Sequence, residues 1–398
     1  MKIKFILSAL LILTGLSNLK SQIANDTSVY LITCSPGTET YSIYGHSAIR
    51  VAIPSAGIDV VYNWGVFDFN TKNFVWKFAK GKLNYMLGVY PYNVFLEEYM
   101  FEKRSVYSQK VNMESDDLMY LTTLLEENLK PENLFYLYDF FYDNCSTRIR
   151  DIFEKVYNGK LIYPPYENNK IPTFRQKLAY YHRNYPWLKF GIDFLLGLPA
   201  DKKASFRDQM FLPLDLQRNL SQVVINRNRK MIPLLQNVEN IFEFESMQPT
   251  PPFYYSPMLI FSAAFVLVLF VSIKFKNTLF INYLDIALFT IFSILAILMI
   301  FFNFITDHEQ TKWNLNIIWC NPFILLCLLS LALNKKGVVW FRLVFWLSVV
   351  SILIAIIFTG YTNIAVVPLV MIMTLRSASR SEFSWNPFNQ AEKNSNYK

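Results

Sequence analysis

Among the reactive side chains of this 398-residue chain, Cys145 and His46 have the setting that catalysis needs. Cys145 follows Tyr142-Asp143-Asn144 and opens the run Cys145-Ser146-Thr147-Arg148-Ile149-Arg150-Asp151-Ile152-Phe153-Glu154-Lys155-Val156, whose apolar residues recur at helical intervals. With Asn144 as the natural cap, the thiol stands in the first turn of a helix, near the positive end of its dipole. That setting favours the thiolate, and the backbone N–H groups there suit the oxyanion of a tetrahedral intermediate. A base is still required. Of the three histidines, His46 lies in Tyr44-Gly45-His46-Ser47-Ala48-Ile49-Arg50, where the glycine lets the chain enter a strand close to another element. Asn63 is the candidate to orient the imidazole, as a third polar group does in Cys-His-Asn sites; Tyr44, Ser47 and Asp143 are alternatives. Taken singly, a cysteine is usually an inert small hydrophobe and a histidine a hydrogen-bonded structural residue. His182, among Tyr180, Tyr181 and Arg183, reads that way. His46, Cys145, His182 and His308 show no close ligand spacing, so neither a metal nor another cofactor is implied.

The elements that must hold this pair read as α+β. Residues 29–33, 48–53 and 58–62 are short and rich in β-branched side chains, and Pro54-Ser55-Ala56-Gly57 makes a turn between the last two, giving an antiparallel hairpin. Residues 116–129 have helical spacing with Ser115 as cap. Ahead of them, Met1-Lys2-Ile3-Lys4, an apolar run over 5–16 and small polar residues through Ser21 have the order of a secretory signal peptide cleaved near Ser21, with an uncleaved anchor as the alternative. Export bears on the four cysteines. A Cys34–Cys145 disulfide would cap the one thiol in a catalytic setting and is set aside. Leu31-Ile32-Thr33-Cys34 is not a lipoprotein attachment box, because the polar run Asn25-Asp26-Thr27-Ser28 separates it from the apolar segment.

From residue 256 onward the composition changes. Spans are expected at 256–273, 280–303, 315–333, 338–359 and 361–375, each near the length that crosses a hydrocarbon core, with a re-entrant hairpin as the alternative for the last. Lys274/Lys276, Lys335/Lys336 and Arg376/Arg380 recur on one side, which the positive-inside rule makes cytoplasmic. This assigns the formal charge of +8 to membrane orientation, not to nucleic acid. The expected domains are therefore a signal peptide (1–21), a periplasmic catalytic domain (22–248), a Pro-rich linker (249–255), a five-span domain (256–376) and a cytoplasmic tail (377–398). His308, between Asp307 and Glu309, falls on the outer side with the exported domain.

Gly45-His46-Ser47-Ala48-Ile49-Arg50, followed much later by Tyr142-Asp143-Asn144-Cys145-Ser146-Thr147-Arg148-Ile149-Arg150-Asp151, resembles the lipoprotein N-acyltransferases of the Bacteroides type. The His-before-Cys order also resembles the circularly permuted papain-like group that includes NlpC-type hydrolases. The likeness extends to Leu31–Gly37, Tyr62-Asn63-Trp64-Gly65, Met210-Phe211-Leu212-Pro213 and the stretch from His308 to Pro322. It implies a permuted papain-like (NlpC-like) exported domain, with Cys145 as nucleophile and His46 as base. A phospholipid would be the acyl donor and a diacylglyceryl-modified lipoprotein the acceptor, at the bacterial inner membrane. Tyr44, Asn144, Arg148, His308 and Asn314 become candidate substrate contacts. Met210-Phe211-Leu212-Pro213 either inserts at the membrane surface or packs inside the domain. A membrane-anchored cysteine peptidase or amidase acting on peptidoglycan, and a non-enzymatic envelope assembly protein, are the rival functions.

Overall fold

A computed structural model of the chain describes residues 26–165, 171–245, 250–276, 278–358 and 360–383. The expected signal peptide, the first residue of the linker and most of the expected cytoplasmic tail lie outside the described residues. In chain order the strands are β1 (Ser28–Cys34), β2 (His46–Ile53), β3 (Ile58–Val66), β4 (Asn84–Pro91), β5 (Val106–Lys110), β6 (Phe135–Leu137), β7 (Leu161–Ile162), β8 (Val224–Arg227), β9 (Lys230–Pro233) and β10 (Glu239–Phe242). The helices are α1 (Phe74–Ala79), α2 (Tyr92–Phe101), α3 (Ser115–Leu129), α4 (Cys145–Tyr157), α5 (Phe174–Tyr181), α6 (Pro186–Leu195), α7 (Pro213–Leu220), α8 (Pro257–Lys274), α9 (Leu279–Ile300), α10 (Phe323–Ala332), α11 (Val338–Ile357) and α12 (Val366–Arg380). Contacts divide them into two units, residues 1–177 with 203–248, and residues 178–202 with 249–398.

The first unit is built on an antiparallel sheet of order β10-β5-β1-β2-β3-β4-β6, with β7-β8-β9 as a second, smaller sheet. Alternation along β1 sorts its side chains to two covered faces. Leu31 points into a core with Leu118, Leu121 and Leu125 of α3 and Ile149, Ile152 and Phe153 of α4. Ile32 and Cys34 point the other way, against Phe95 and Tyr99 of α2. The expected hairpin is present, with Gly57 in the left-handed conformation closing its turn. Asn144 caps α4 as expected. The cap of α3 is Glu114 instead of Ser115: its N–H donates to Asp117 Oδ2 at 2.9 Å, which leaves Ser115 inside the first turn. Met210, Phe211 and Leu212 are fully buried, so this motif packs inside the unit and is not a surface anchor.

Among the described residues of the second unit, four segments are long and apolar enough to cross a membrane: Pro257–Lys274, Leu279–Ile305, Leu315–Ala332 and Val338–Ile357. The third departs from the expected continuous helix. A 3-10 turn at Leu315–Ile318 precedes α10, and the two are separated by Asn321-Pro322, where the proline cannot donate to a helical ladder and Asn321 Oδ1 accepts from Phe323 N–H. Residues 178–202, expected in the exported domain, pack here. Trp187 and Phe190 of α6 meet Phe261 of α8 edge to face at 5.5 and 5.0 Å, and Phe194 lies 6.2 Å from Trp319.

Helix α12 has 15 residues, fewer than the four apolar segments, yet it is buried over much of its length. Near its start Asn363 donates to Asp193 of α6, and near its end Arg376 donates to Asp285 of α9 at 2.6 and 3.0 Å and to Ser272 of α8 at 2.9 Å. Arg342 at the start of α11 donates to the Ser381 carbonyl, and Lys336 faces Glu382. The three basic clusters therefore gather at one end of the bundle. Arg376 is 3% exposed and Asp285 0%, so that arginine is an interior ion-pair partner and not a headgroup-level marker. Two charges out of water hold only while paired.

Asp285→Ala should thus cost roughly 3–5 kcal/mol, the usual loss when one partner of a buried pair is removed. The readout is the temperature at which detergent-solubilised full-length protein loses its monodisperse gel-filtration peak. The double change Asp285→Ala with Arg376→Leu should recover part of that loss. A double variant no more stable than the single one would show that an uncompensated Arg376 is not the cause and would shift it to Arg380, which also donates to Asp285 at 2.7 Å.

Candidate active site

Cys34, at the end of β1, pairs in register with His46 at the start of β2. Gly45 makes that approach possible. Its φ is +83°, and a Cβ there would lie 2.7 Å from the Cys34 carbonyl oxygen and 3.5 Å from Pro213. The β2–β3 ladder reaches Ile49–Tyr62, and just past it the side chains of His46 and Asn63 meet, with Nε2 2.6 Å from Asn63 Oδ1. Since Asn63 Oδ1 only accepts, the hydrogen is on Nε2, which leaves Nδ1 for the thiol. On the other side the His46 ring lies parallel to Tyr99 at 6.5 Å.

Cys145 is the first residue of α4, and Asn144 fixes it there. Asn144 Oδ1 accepts from the N–H groups of Ser146 and Thr147 at 2.9 and 3.0 Å, and its Nδ2 donates to the carbonyls of Phe140 and Phe211 at 2.8 and 3.0 Å. Of the first three helix amides, this leaves that of Cys145 itself for an oxyanion. The helix is tied to β2 by the buried Ser47–Ser146 hydroxyl contact of 3.3 Å. Phe141 anchors the preceding loop, its ring 4.5 Å from Phe174 and 5.3 Å from Phe211.

Burial works against ionisation of the thiol, but the charge and hydrogen bond of His46, the Ser47 N–H and the Ser146 hydroxyl outweigh it, and Cys145 ionises below the usual thiol range. Burial likewise opposes the imidazolium, while Cys145 and then Asn63 raise the His46 pKa above its ordinary value. The two shifts have opposite sign and one cause: thiolate and imidazolium support each other. Cys34 contrasts with this. Buried and hydrogen-bonded to Tyr99, its thiol is pushed far up and stays neutral. Both cysteines are free thiols.

The remaining candidates separate clearly. Tyr44 is half-buried, its ring 4.7 Å from Phe140. Arg148 forms a bidentate pair with Asp143 at 2.5 and 2.8 Å and lies 3.6 Å above the Tyr136 ring. Asn144 was expected to touch substrate, but it is 2% exposed and its whole amide is used in the scaffold. Asn314 has the same fate in the second unit: buried, it donates to the Phe194 carbonyl at 2.8 Å and accepts from Asn316 N–H. His308, also in that unit, is half-buried with its ring 6.3 Å from Phe302. His182 is buried, and desolvation lowers its pKa to about 4.

Sequence reasoning missed Tyr136. It sits on β6 beneath Arg148, one helical turn from Cys145 along α4, and feels the charge of Cys145. Its hydroxyl is buried and has no hydrogen-bond partner among the described residues. A tyrosine in the alternating run Phe135-Tyr136-Leu137-Tyr138 carries no sequence signal for this position.

The paired shifts predict the pH profile of Cys145 alkylation by iodoacetamide. The thiolate persists below about 8.5, the ordinary cysteine value, and the imidazolium above about 6.5, so alkylation should remain fast at neutral pH. His46→Ala leaves burial unopposed by that partner and should move the profile upward. An unmoved profile would remove His46 from the pair.

The family description "Lnb N-terminal periplasmic domain" matches residues 17–175, and "Lnb transmembrane domain" matches residues 249–384. Comparison with curated proteins and with solved structures gives no match. The two matched regions make up most of the chain and stand in the order of an exported domain followed by a membrane domain, and the chain belongs to the Lnb family.

Proposed function

We propose that this protein is a lipoprotein N-acyltransferase of the bacterial inner membrane. The observation that carries the reading is a half-exposed thiol of lowered pKa, paired with His46–Asn63, in a periplasmic-type domain fused to a membrane bundle. A donor and an acceptor that both reside in a bilayer suit such a tethered nucleophile, because anchoring removes a three-dimensional search. The strand carrying His46 precedes the helix carrying Cys145, which supports a permuted papain-like arrangement. The contacts of α12 from Asn363 to Arg376 support a fifth crossing, with the basic end of the bundle in the cytoplasm.

In the first step the Cys145 thiolate attacks the carbonyl carbon of a phospholipid ester. The C–S bond forms and the carbonyl oxygen becomes an oxyanion. As it collapses, the ester C–O bond breaks and His46 gives its proton to the departing lysophospholipid oxygen. In the second step the α-amino group of a diacylglyceryl-cysteine attacks the thioester, His46 takes the amine proton, and the C–S bond breaks to restore the thiolate and leave an amide. We assign the oxyanion to the Cys145 N–H and the Tyr136 hydroxyl. Burial, and then the charge at Cys145, raise the Tyr136 pKa, so it stays protonated as a donor.

Expression in a strain lacking lipoprotein N-acylation, with mass spectrometry of a lipoprotein N-terminus, tests this. The wild type should produce triacylated lipoprotein, and Cys145→Ser and His46→Ala should not. The serine keeps nearly the same shape but is far less ionised, so triacylation at the wild-type rate by Cys145→Ser would exclude the thioester route. Tyr136→Phe should lower turnover by about 10²-fold, the usual loss for one oxyanion donor, while leaving Cys145 alkylation unchanged. Undiminished turnover would remove Tyr136 from the mechanism.

A further inference from the structure

Between β3 and β4 the chain presents an apolar surface to solvent. In and beside α1, Val75 is 76% exposed, Phe69 68%, Trp76 55% and Phe78 54%. Lys72, Lys77, Lys80 and Lys82 rim these side chains; Asp68, which accepts from Asn70, is the one acid beside them, and none follows it before Glu97. Aromatic and branched side chains ringed by lysines of one sign suit the boundary between headgroups and acyl chains, where the rings leave water and the ammonium groups meet lipid phosphates.

A second observation connects this surface to the thiol. Phe74 lies 5.8 Å from Phe67, Phe67 lies 5.3 Å from Tyr85, and Tyr85 lies 4.6 Å from Tyr138. Tyr138 lies 6.5 Å from Phe140, which is 4.7 Å from Tyr44, the residue before Gly45-His46. All but Tyr85 keep part of their surface exposed, as Cys145 does. The rings thus form a connected aromatic lane, packed in part against the core, that ends at Tyr44, two residues before His46.

We propose that α1 and its flanking loop dock on the surface of an anionic phospholipid bilayer, and that the aromatic lane carries one acyl chain of a bilayer lipid toward Cys145. The lane rests on the acyl-transfer reading above; the docking does not.

The test uses full-length protein in vesicles of phosphatidylethanolamine and phosphatidylglycerol. Val75→Cys in a Cys145→Ser background takes an environment-sensitive nitrobenzoxadiazole label selectively, because Cys34, Cys320 and Cys327 are buried. Asn237→Cys supplies the water-facing control. The label at 75 should be protected from aqueous iodide and quenched several-fold more than the control by doxyl-bearing lipids. Changing the four lysines to glutamate should abolish that protection. Iodide quenching equal to the control would overturn the docking. So would protection without lipid quenching, which marks a protein partner such as a second copy.

With Cys145 present, Val75→Asp should slow acyl-thioester formation from vesicle phospholipid several-fold while leaving iodoacetamide alkylation unchanged. Thioester formation at the wild-type rate would overturn the lane. If the label is lipid-quenched but even the wild type forms no thioester, the docking holds and the acyl-transfer reading falls.

Discussion

Asn144 makes four hydrogen bonds from a side chain that has two donor hydrogens and two acceptor lone pairs, and none is left for solvent or ligand. Each bond contributes a net ~1 kcal/mol, but the greater effect is geometric. The carboxamide ties the start of α4 to the loop at Phe140 and to the segment at Phe211. Two residues further along that segment, Pro213 lies under Gly45 and sets how near β2 approaches. The thiol and the imidazole, 99 residues apart in the chain, are thereby referenced to one buried stretch, Met210–Pro213. A loose fit there would separate the pair even with both side chains intact.

That reference matters because the pair is held against desolvation. Burial opposes the charged form of both Cys145 and His46, and the largest influence favouring that form in each is the other. Asn63 holds Nε2 and so fixes which nitrogen meets the sulfur. Cys34 shows the same chemistry without the arrangement. It lies opposite His46 in the β ladder, on the same face toward α2, and burial keeps it neutral there. The hydrogen-bond partner, and not residue type, separates the two thiols: Cys145 meets His46, whereas Cys34 meets Tyr99.

The Cys145–His46 contact was legible in the sequence because its signals are local: a capping asparagine before a cysteine, and a glycine before a histidine. The membrane segments were legible through hydropathy, which needs no partner. What stayed hidden depends on tertiary pairing. Pro186–Leu195 falls within the expected exported domain, and its ring contacts with Phe261 and Trp319 place it in the membrane unit instead. Arg376 reads as a flanking cation because Asp285 is 91 residues away. Asn144 and Asn314 read as candidate ligand contacts because sequence shows the amide but not the carbonyls that consume it. Tyr136 gives no signal at all, since its role depends on what its hydroxyl does not meet.

This contrast separates scaffold from site in both units. Asn144 and Arg376 are buried polar groups whose hydrogen-bonding capacity is taken up by the protein, as expected of groups that fix geometry. Around Cys145 the rule lapses. The thiol is only half-buried, and the Tyr136 hydroxyl is buried without a partner among the described residues. An unsatisfied buried hydroxyl costs free energy in the resting protein, and a stability optimum would remove it by using phenylalanine there. In the proposed reaction that cost is recovered when negative charge develops beside the hydroxyl, the condition a tetrahedral oxyanion creates. The same logic applies to the exposed rings of α1: water is a poor solvent for them, and a lipid surface is a good one. The exposed rings of α1 and the buried Tyr136 hydroxyl are thus joined to the Cys145 region by one row of aromatic contacts, through Tyr85, which packs against both Tyr136 and Tyr138.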